Sequence, residues 1–217
     1  MTLPLTPKAI AAAKAKLRFP TQAFIDGRSC PSASGKTFAS TNPANGERMA
    51  DVASCEAQDV DRAVRAARRV FEDGTWSRMS PADRKKVLLR FADLVDRDSA
   101  ELALLDTLNA GKPVRDTVQI DLPDTVHCLR WHAELVDKLY ERVAPTPMAN
   151  PCLIVREPMG VVGLLVPWNF PVQMAAWKIG PALAAGNSLV LKPARQTSFS
   201  AIRLAELAAE AGVPSGV

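Results

Sequence analysis

Apolar and polar residues alternate along the chain with two different periods, and these periods divide it into segments. Near the amino terminus the pattern is short and rich in turns. Asp26-Gly27 is typical of a hairpin turn, and residues 42–46 (NPANG) form a second turn between Thr37–Thr41 and Met49–Ala53. Before them, Lys8–Phe19 is Ala-rich and weakly amphipathic, which favours a surface helix over an organelle-targeting peptide. The pattern therefore predicts a surface helix followed by two β-hairpins.

A helical period follows, in which apolar residues recur three and four positions apart. The four apolar stripes are Val60, Ala63, Val64, Ala67, Val70 and Phe71; Val87, Leu88, Phe91 and Val95; Leu102, Leu105 and Leu108; and Val126, Leu129, Ala133, Val136 and Tyr140. Ser80-Pro81 is a typical helix start for the second stripe, Gly111-Lys112-Pro113 ends the third, and the fourth begins near Pro123. We therefore predict four helices, each with one buried face.

Residues 141–158 interrupt the helical pattern with prolines. Pro145, Pro147 and Pro151 are incompatible with a helix interior, and Cys152–Val155 is strand-like. We predict an extended arm here, and it is our candidate for a contact between subunits.

The last part of the chain alternates strand and helix. Val161–Val166 is a continuous apolar run, as in a strand buried on both faces, and Ser188–Leu191 is a second such strand. Helical segments, Pro171–Ala185 and Ser198–Ala211, follow each of them, and this order demands a parallel sheet. The predicted fold class is α/β: an incomplete Rossmann-like parallel sheet, preceded by β-hairpins and a helical layer. Because two parallel strands make a poor sheet, we expect either a fragment of a longer protein or a second chain that completes the fold.

Charge and cysteine content exclude several classes of function. Four basic residues and no acidic one among the first 25 account for the net charge of +4, and no basic stripe is interleaved with aromatics, so we expect no nucleic-acid binding. No apolar run approaches the roughly 18 residues of a membrane-spanning helix. The cysteines form no CxxC pair and the two histidines are five positions apart, so we expect no metal site, no disulfide framework and a reducing cytoplasmic location.

Candidate chemistry lies where the two predicted parallel strands end, because ligands of such sheets bind beyond the carboxyl ends. Asn169 follows the first strand, between prolines and aromatics that stiffen the turn. A rigid amide donor suits an oxyanion hole, although an ordinary turn asparagine has the same surroundings. Lys192 ends the second strand and is suited to phosphate or ribose hydroxyls. The glycine fingerprint of dinucleotide-binding folds is absent after Val166. These single residues therefore do not determine which cofactor binds.

Longer sequence motifs indicate a protein family, which these single residues do not. The segment VVGLLVPWNFPVQMAAWKIGPALAAGNSLVLKPA resembles the aldehyde dehydrogenase superfamily closely, as do FIDGR, TNPANGE, DVDRAVRAAR, LALLDTLNAGKP and VREPMGVVG upstream. The similarity covers the chain from about Phe24 onward and is greatest to bacterial γ-glutamyl-γ-aminobutyraldehyde dehydrogenases of polyamine breakdown. It implies NAD(P)-dependent oxidation of an aldehyde to a carboxylic acid by a homodimer or homotetramer. It also implies that residues 1–140 and 159–217 belong to the cofactor-binding domain and that 141–158 is an oligomerisation arm.

The resemblance also implies roles for individual residues. Asn169 matches the side chain that stabilises the oxyanion formed when a cysteine thiolate attacks the aldehyde. The matching cofactor-binding residues are Leu165, Val166, Pro167, Trp168, Lys192, Ala194 and Arg195. The matching residues of the aldehyde tunnel are Phe170, Gln173, Met174 and Trp177, although core packing would select the aromatics and Met174 equally. No cysteine of the chain stands at the nucleophile position, so we expect the catalytic domain to lie beyond Val217 and the chain alone to be inactive.

Two residues suggest finer preferences. Arg195 stands where the family often has a glutamate, and an arginine attracts the 2′-phosphate of NADP that a glutamate repels; the alternative is an arginine turned to solvent. Gln173 places a polar group beside the expected tunnel, which favours polar aldehydes such as ω-amino or γ-glutamyl substrates. A separate hypothesis remains open: a catalytically inactive truncated homologue that binds nucleotide or pairs with another subunit.

Overall fold

The computed structural model describes residues 3–217 and contains eight strands and eight helices in that range. The strands are β1 (Ala23–Ile25), β2 (Arg28–Cys30), β3 (Thr37–Thr41), β4 (Arg48–Ala53), β5 (Arg142–Val143), β6 (Leu153–Ile154), β7 (Val161–Leu165) and β8 (Ser188–Lys192). The helices are α1 (Pro7–Lys16), α2 (Ala57–Asp73), α3 (Pro81–Arg97), α4 (Ser99–Ala110), α5 (Val114–Asp116), α6 (Leu122–Leu135), α7 (Pro171–Ala184) and α8 (Phe199–Ala211). A π-helical turn, Thr117–Asp121, joins α5 to α6.

The amino-terminal elements confirm the predicted surface helix and two hairpins. Helix α1 has no buried residue. Strands β1 and β2 pair antiparallel around Asp26 and Gly27, whose φ angles of 54° and 74° are both left-handed, as a type I′ turn requires. Strands β3 and β4 pair antiparallel around the second turn.

The helical layer begins and ends largely at the predicted residues. The Ser80 hydroxyl accepts a 3.1 Å hydrogen bond from the Asp83 amide and caps α3, and α4 ends at Gly111. Helix α6 packs along α7, where Gly180 has no side chain: a Cβ there would lie 3.0 Å from Nδ1 of His132. The α6–α7 contact is therefore close near Gly180, and hydrogen bonds from Gln173 and Trp177 to Asp124 join the starts of the two helices.

The parallel sheet is the feature on which the predicted fold class depends, and it is present. Strands β7 and β8 pair in parallel, from Val161 opposite Ser188 to Leu165 opposite Lys192. Helix α7 connects the two strands, and α8 follows the second. Both strands therefore end at the same edge, next to each other.

The predicted burial of β7 on both faces is wrong. The Leu165 side chain is 66% exposed and Gly163 is exposed as well, although both lie in a run predicted to be buried on both faces. Val60 and Val64 of α2, predicted to face the core, are 50% and 38% exposed. The reason is shared: among residues 3–217 the sheet has only two strands, so the surfaces around it are incompletely covered.

The predicted fourth helix differs from α6 at both ends. It starts at Leu122 and is preceded by α5 and the π-helical turn, neither of which was predicted. It ends at Leu135, so Tyr140 does not lie on its apolar side and is 83% exposed. The residues that follow form a short antiparallel hairpin, β5 with β6, within the predicted arm. No helix in the described range 3–217 is long and apolar enough to cross a membrane.

Candidate functional site

The ends of β7 and β8 present an apolar and a cationic side chain next to each other. Leu165 lies opposite Lys192, and the Val166 amide donates a 3.1 Å hydrogen bond to the Lys192 carbonyl. The side chains of Leu165 and Lys192 are both exposed, whereas Val166 is buried in the main hydrophobic core. A ligand that crosses the two strand ends would meet one apolar surface and one ammonium group.

An open cleft of about 810 Å³ adjoins these strand ends. Its lining includes Leu165, Lys192, Ala194 and Arg195, together with apolar residues of α2, β7, β8 and α8. The Arg195 guanidinium is exposed but lies over the Phe38 ring, 4.6 Å from the ring centroid, so it is held in place on this rim. The structure thus brings four of the predicted cofactor residues together; in the described chain the lining does not include Val166, Pro167 or Trp168.

Asn169 lies in the exposed loop between β7 and α7. Pro167 stands before it and Pro171 starts the helix after it, and each proline ring fixes a backbone φ angle. Within residues 3–217 the Asn169 side chain makes no hydrogen bond, and Trp168 beside it is largely exposed. The carboxamide is therefore free to donate to a ligand at the end of β7.

The ring of Phe170, the next residue, contacts an ion pair whose carboxylate is buried and whose ammonium is partly exposed. The Lys112 ammonium lies 3.5 Å from the centroid of this ring. Its Nζ atom also lies 2.6 and 2.8 Å from the two carboxylate oxygens of Asp121, whose side chain is 1% exposed. The ammonium thus lies between a carboxylate and an aromatic face, and both contacts attract it.

A second buried carboxylate caps α7. Oδ2 of Asp106, on α4, accepts a 3.0 Å hydrogen bond from the Val172 amide. Phe170 stands at the N-cap position without a capping side chain, and Pro171 has no N–H, so Val172 supplies the first amide of the helix. Burial raises the pKa of Asp106 to about 7, while the hydrogen bond from the Val172 amide opposes that rise.

Three residues predicted to line the aldehyde tunnel follow on α7. Gln173 donates from Nε2 to Oδ2 of Asp124 over 2.7 Å, and Trp177 donates from Nε1 to the same oxygen over 3.0 Å. Met174 packs against the core. No lysine or arginine of the described residues forms an ion pair with Asp124, so its half-buried carboxylate is available to a cation on this face. This face is separate from the cleft, whose lining among residues 3–217 includes neither Asp124 nor Asn169.

Four acidic or basic residues of this region were missed by sequence reasoning: Asp106, Lys112, Asp121 and Asp124. One of them carried a signal, because Asp106 interrupts the apolar run of α4 and an acid in such a run is buried with a partner. Asp124 follows Pro123 in the first turn of α6, where acids are common on solvated helices, so no local pattern distinguishes it.

The cysteines and acids form no further reactive centre in the described chain. No group of three or more potential metal ligands occurs among residues 3–217, and all four cysteines are free. Burial raises the pKa of the Cys128 thiol to about 11, and burial likewise raises the pKa of Cys55. Both shifts disfavour the thiolate, so neither residue has the character of a catalytic nucleophile.

Comparison with known sequences gives consistent matches. A sequence model described as the aldehyde dehydrogenase family matches residues 30–217. Aminoacetaldehyde dehydrogenase of Pseudomonas aeruginosa is 55% identical over 217 residues, which cover 100% of this chain and 44% of that protein. The NADP/NAD-dependent aldehyde dehydrogenase PuuC of Escherichia coli is 50% identical over 194 residues, 89% of this chain and 39% of that protein. The chain therefore spans less than half the length of these curated relatives.

Solved structures match with the same coverage. Aldehyde dehydrogenase KauB from Pseudomonas aeruginosa superposes with a TM-score of 0.97 at 48% identity, over 99% of this chain and 43% of that one. Gamma-glutamyl-gamma-aminobutyraldehyde dehydrogenase from Burkholderia cenocepacia gives 0.95 at 48%, over 100% and 43%. Indole-3-acetaldehyde dehydrogenase, crystallised with NAD+, gives 0.96 at 48%, over 99% and 43%. These matches confirm the predicted fold class and the resemblance on which the site assignment depends.

Proposed function

This chain belongs to the aldehyde dehydrogenase family, and from that premise we propose that the complete protein oxidises an aldehyde to the carboxylic acid with NAD or NADP. The chain contributes the amide that stabilises the oxyanion and part of the cofactor site. The observation that carries the proposal is the Asn169 carboxamide, which has no hydrogen-bond partner among residues 3–217 and lies between Pro167 and Pro171 at the carboxyl end of a parallel strand.

Asn169 acts on the oxygen of the reacting carbonyl. When a cysteine thiolate adds to the aldehyde, the thiohemiacetal forms through an alkoxide, and the carbonyl oxygen gains negative charge. The Asn169 N–H donates to that oxygen, and since two prolines fix the loop, little reorganisation is needed as the charge develops. Hydrolysis of the thioester that follows hydride loss releases the acid.

The cofactor residues fit a dinucleotide. Leu165 offers an apolar surface for adenine, and the exposed Lys192 ammonium is able to donate to ribose hydroxyls, at adjacent strand ends that border the open cleft. When bound, the nicotinamide accepts the hydride of the substrate. A structural relative, indole-3-acetaldehyde dehydrogenase, was crystallised with NAD+, which supports the same class of cofactor here.

Arg195 is expected to favour NADP. Replacing it by glutamate is expected to lower kcat/KM for NADP about tenfold relative to NAD, because one charge-assisted hydrogen bond contributes about 1.5 kcal/mol and the new carboxylate repels the 2′-phosphate. The measurement is the ratio of kcat/KM for the two cofactors in the complete protein. Arg90→Glu, an exposed change on α3, is the matched control and should leave the ratio unchanged. A strong NAD preference that Arg195→Glu does not alter would contradict the prediction.

The substrate is proposed to be an aldehyde that carries an ammonium group, as polyamine-derived aldehydes do; γ-glutamyl-γ-aminobutyraldehyde is one such compound. Asp124 provides a half-buried carboxylate next to Gln173 and Trp177, and these two polar donors orient it. Phe170 and Met174 complete the proposed tunnel. The relative named aminoacetaldehyde dehydrogenase supports this substrate class.

Assembly is proposed to use the hairpin arm, residues 141–158. Its apolar side chains are exposed, among them Val143, Met148, Leu153 and Ile154, and exposed apolar patches of this kind mark contact surfaces. We propose a homodimer or homotetramer with this arm at the subunit contact, in the reducing cytoplasm, where four free cysteines are stable. Residues 1–140 and 159–217 then form one cofactor-binding unit.

The direct test is an assay of the complete purified protein with 3-aminopropionaldehyde and either NAD or NADP. One equivalent of reduced nicotinamide should form for each equivalent of carboxylic acid. Formation of neither product would contradict the proposal. Tight nucleotide binding without turnover would support the alternative of a non-catalytic nucleotide-binding or subunit-interaction homologue.

A further inference from the structure

Phe170 and Val172, which follow Asn169, each contact a charged side chain from another part of the chain. The Phe170 ring rests on the Lys112 ammonium, which follows α4, and the Val172 amide donates to Asp106, within α4. Lys112 is fixed in turn by Asp121 of the π-helical turn. A side chain and a backbone amide that follow Asn169 therefore contact a group of three charged residues, of which Asp106 and Asp121 are buried and Lys112 is partly exposed. We call Asp106, Lys112 and Asp121 the charged cluster.

This cluster is costly to bury, and packing alone does not require it. Asp106 is 1% exposed and one of its oxygens, Oδ1, has no hydrogen-bond partner within residues 3–217. Burying carboxylates costs several kcal/mol each, and an apolar group of similar volume would often be more stable. Buried charges that fix the orientation of neighbouring groups are one way in which proteins preorganise a functional site.

The negative charge of Asp106 also favours the amino-terminal end of α7, which it contacts. A carboxylate at the first turn of a helix interacts favourably with the positive end of the helix dipole, and Asp106 replaces the cap that Phe170 cannot provide. The pKa of Asp106, raised by burial, is subject to Lys112, which lowers it, and to Asp121, which raises it. Removing the charge of Lys112 or of Asp121 would therefore also change the pKa of Asp106.

We propose that Asp106 and Lys112 are positioning residues that fix the Asn169 carboxamide, Asp106 through the Val172 amide and Lys112 through the Phe170 ring. This inference rests on the proposed function, in which Asn169 donates to the oxyanion. In the described chain the lining of the cleft includes neither residue, so their effect on Asn169 passes through the loop that carries it. Because Phe170 also lines the proposed tunnel, the KM of the aldehyde is measured beside that of the cofactor. A misplacement of about 1 Å at such a group costs up to about 100-fold in rate, so a partial release is expected to cost about tenfold.

Two pairs of variants separate positioning from structure. Asp106→Ala removes the acceptor of the Val172 amide, whereas Asp106→Asn retains an acceptor oxygen. Lys112→Gln combined with Asp121→Asn removes the ammonium without leaving the Asp121 carboxylate unpaired, whereas Lys112→Arg retains a cation. The matched control is Arg203→Gln, which removes a cation of similar exposure, 21% against 17% for Lys112. Arg203 pairs with Asp98 and Glu101 at the opposite end of α4 and with Glu206 on its own helix. Each variant is made in the complete protein, alone and combined with Asn169→Ala.

The readouts are kcat, the KM of the cofactor and of the aldehyde, and the midpoint of thermal unfolding. Asp106→Ala and the Lys112→Gln, Asp121→Asn double variant should each lower kcat about tenfold with less than about a twofold change in cofactor KM, and the two conservative variants should retain most of the activity. Arg203→Gln should lower the unfolding midpoint but not kcat. In the Asn169→Ala background the same changes should alter the residual kcat less than about twofold, since the group that they position is gone.

Other outcomes overturn the inference. An undiminished fold-loss in the Asn169→Ala background would show that the cluster acts independently of Asn169, and unchanged kcat in the folded variants would show that it does not position the loop. If Asp106→Ala does not fold, the charge-neutral double variant decides between these results. The unsubstituted protein tests the proposed function separately. If it oxidises no aldehyde, the proposed function fails and the inference fails with it; if it is active and the variants do not behave as expected, only the inference fails.

Discussion

Replacing Asn169 by alanine is expected to lower kcat of the complete protein by about 10²–10³-fold, the usual cost of removing one oxyanion donor. The amide has no hydrogen bond to give up within residues 3–217, so its loss should leave the fold and cofactor binding nearly unchanged. The effect should therefore fall on kcat, with the KM of the cofactor altered less than about twofold.

Two further variants make this result specific. Asn169→Asp keeps the size of the side chain but places an acceptor against the developing oxyanion, so it should be at least as damaging as alanine. Asn45→Ala changes an exposed asparagine in the β3–β4 turn and should leave kcat unchanged. A kcat that survives Asn169→Ala would exclude the oxyanion role.

Asp124→Asn is expected to reduce the preference for an aminoaldehyde over a neutral aldehyde by about 10–100-fold, because a hydrogen bond to a charged group contributes about 1.5–3 kcal/mol. The asparagine keeps an oxygen that Gln173 and Trp177 can donate to, so the loss should come from the charge and not from altered packing. The measurement is kcat/KM for 3-aminopropionaldehyde and for butanal, an uncharged aldehyde of similar length.

The control for this change is Asp61→Asn, which neutralises an exposed carboxylate on α2. It should leave the ratio of the two kcat/KM values unchanged. If Asp124→Asn lowers both values equally, then Asp124 has a structural role on α6 and does not recognise the ammonium group. Oxidation of both aldehydes by the unsubstituted protein would still support the proposed function in that case.

The fold could be predicted where local chemistry determines it. The left-handed turn at Asp26 and Gly27 and the cap at Ser80 depend on neighbouring residues alone, so their elements were predicted correctly. The faces that an element buries depend on what packs against it, and Val60 and Val64 were misassigned for that reason. The π-helical turn likewise has no recognised sequence pattern, because it depends on how α4, α5 and α6 pack.

The site was predictable to a similar extent. Asn169 and Lys192 could be found because parallel strands end together, and that rule follows from topology. The burial of Asp106 could have been inferred from its place in the apolar run of α4, but its partner could not. Asp106, Lys112 and Asp124 each contact a residue about 50 or more positions away, and one sequence does not reveal such contacts. Their roles follow from the distances between these residues and their partners in the structure.

The position of the Asn169 carboxamide relative to a reacting carbonyl tests the oxyanion role most directly. A crystal structure of the complete protein with an aldehyde bound as its covalent adduct would provide that distance. The expected result is an Asn169 Nδ2 atom about 2.7–3.1 Å from the aldehyde-derived oxygen, with Asp106 still bound to the Val172 amide. A carboxamide turned away from that oxygen, with another group as its only donor, would contradict the role.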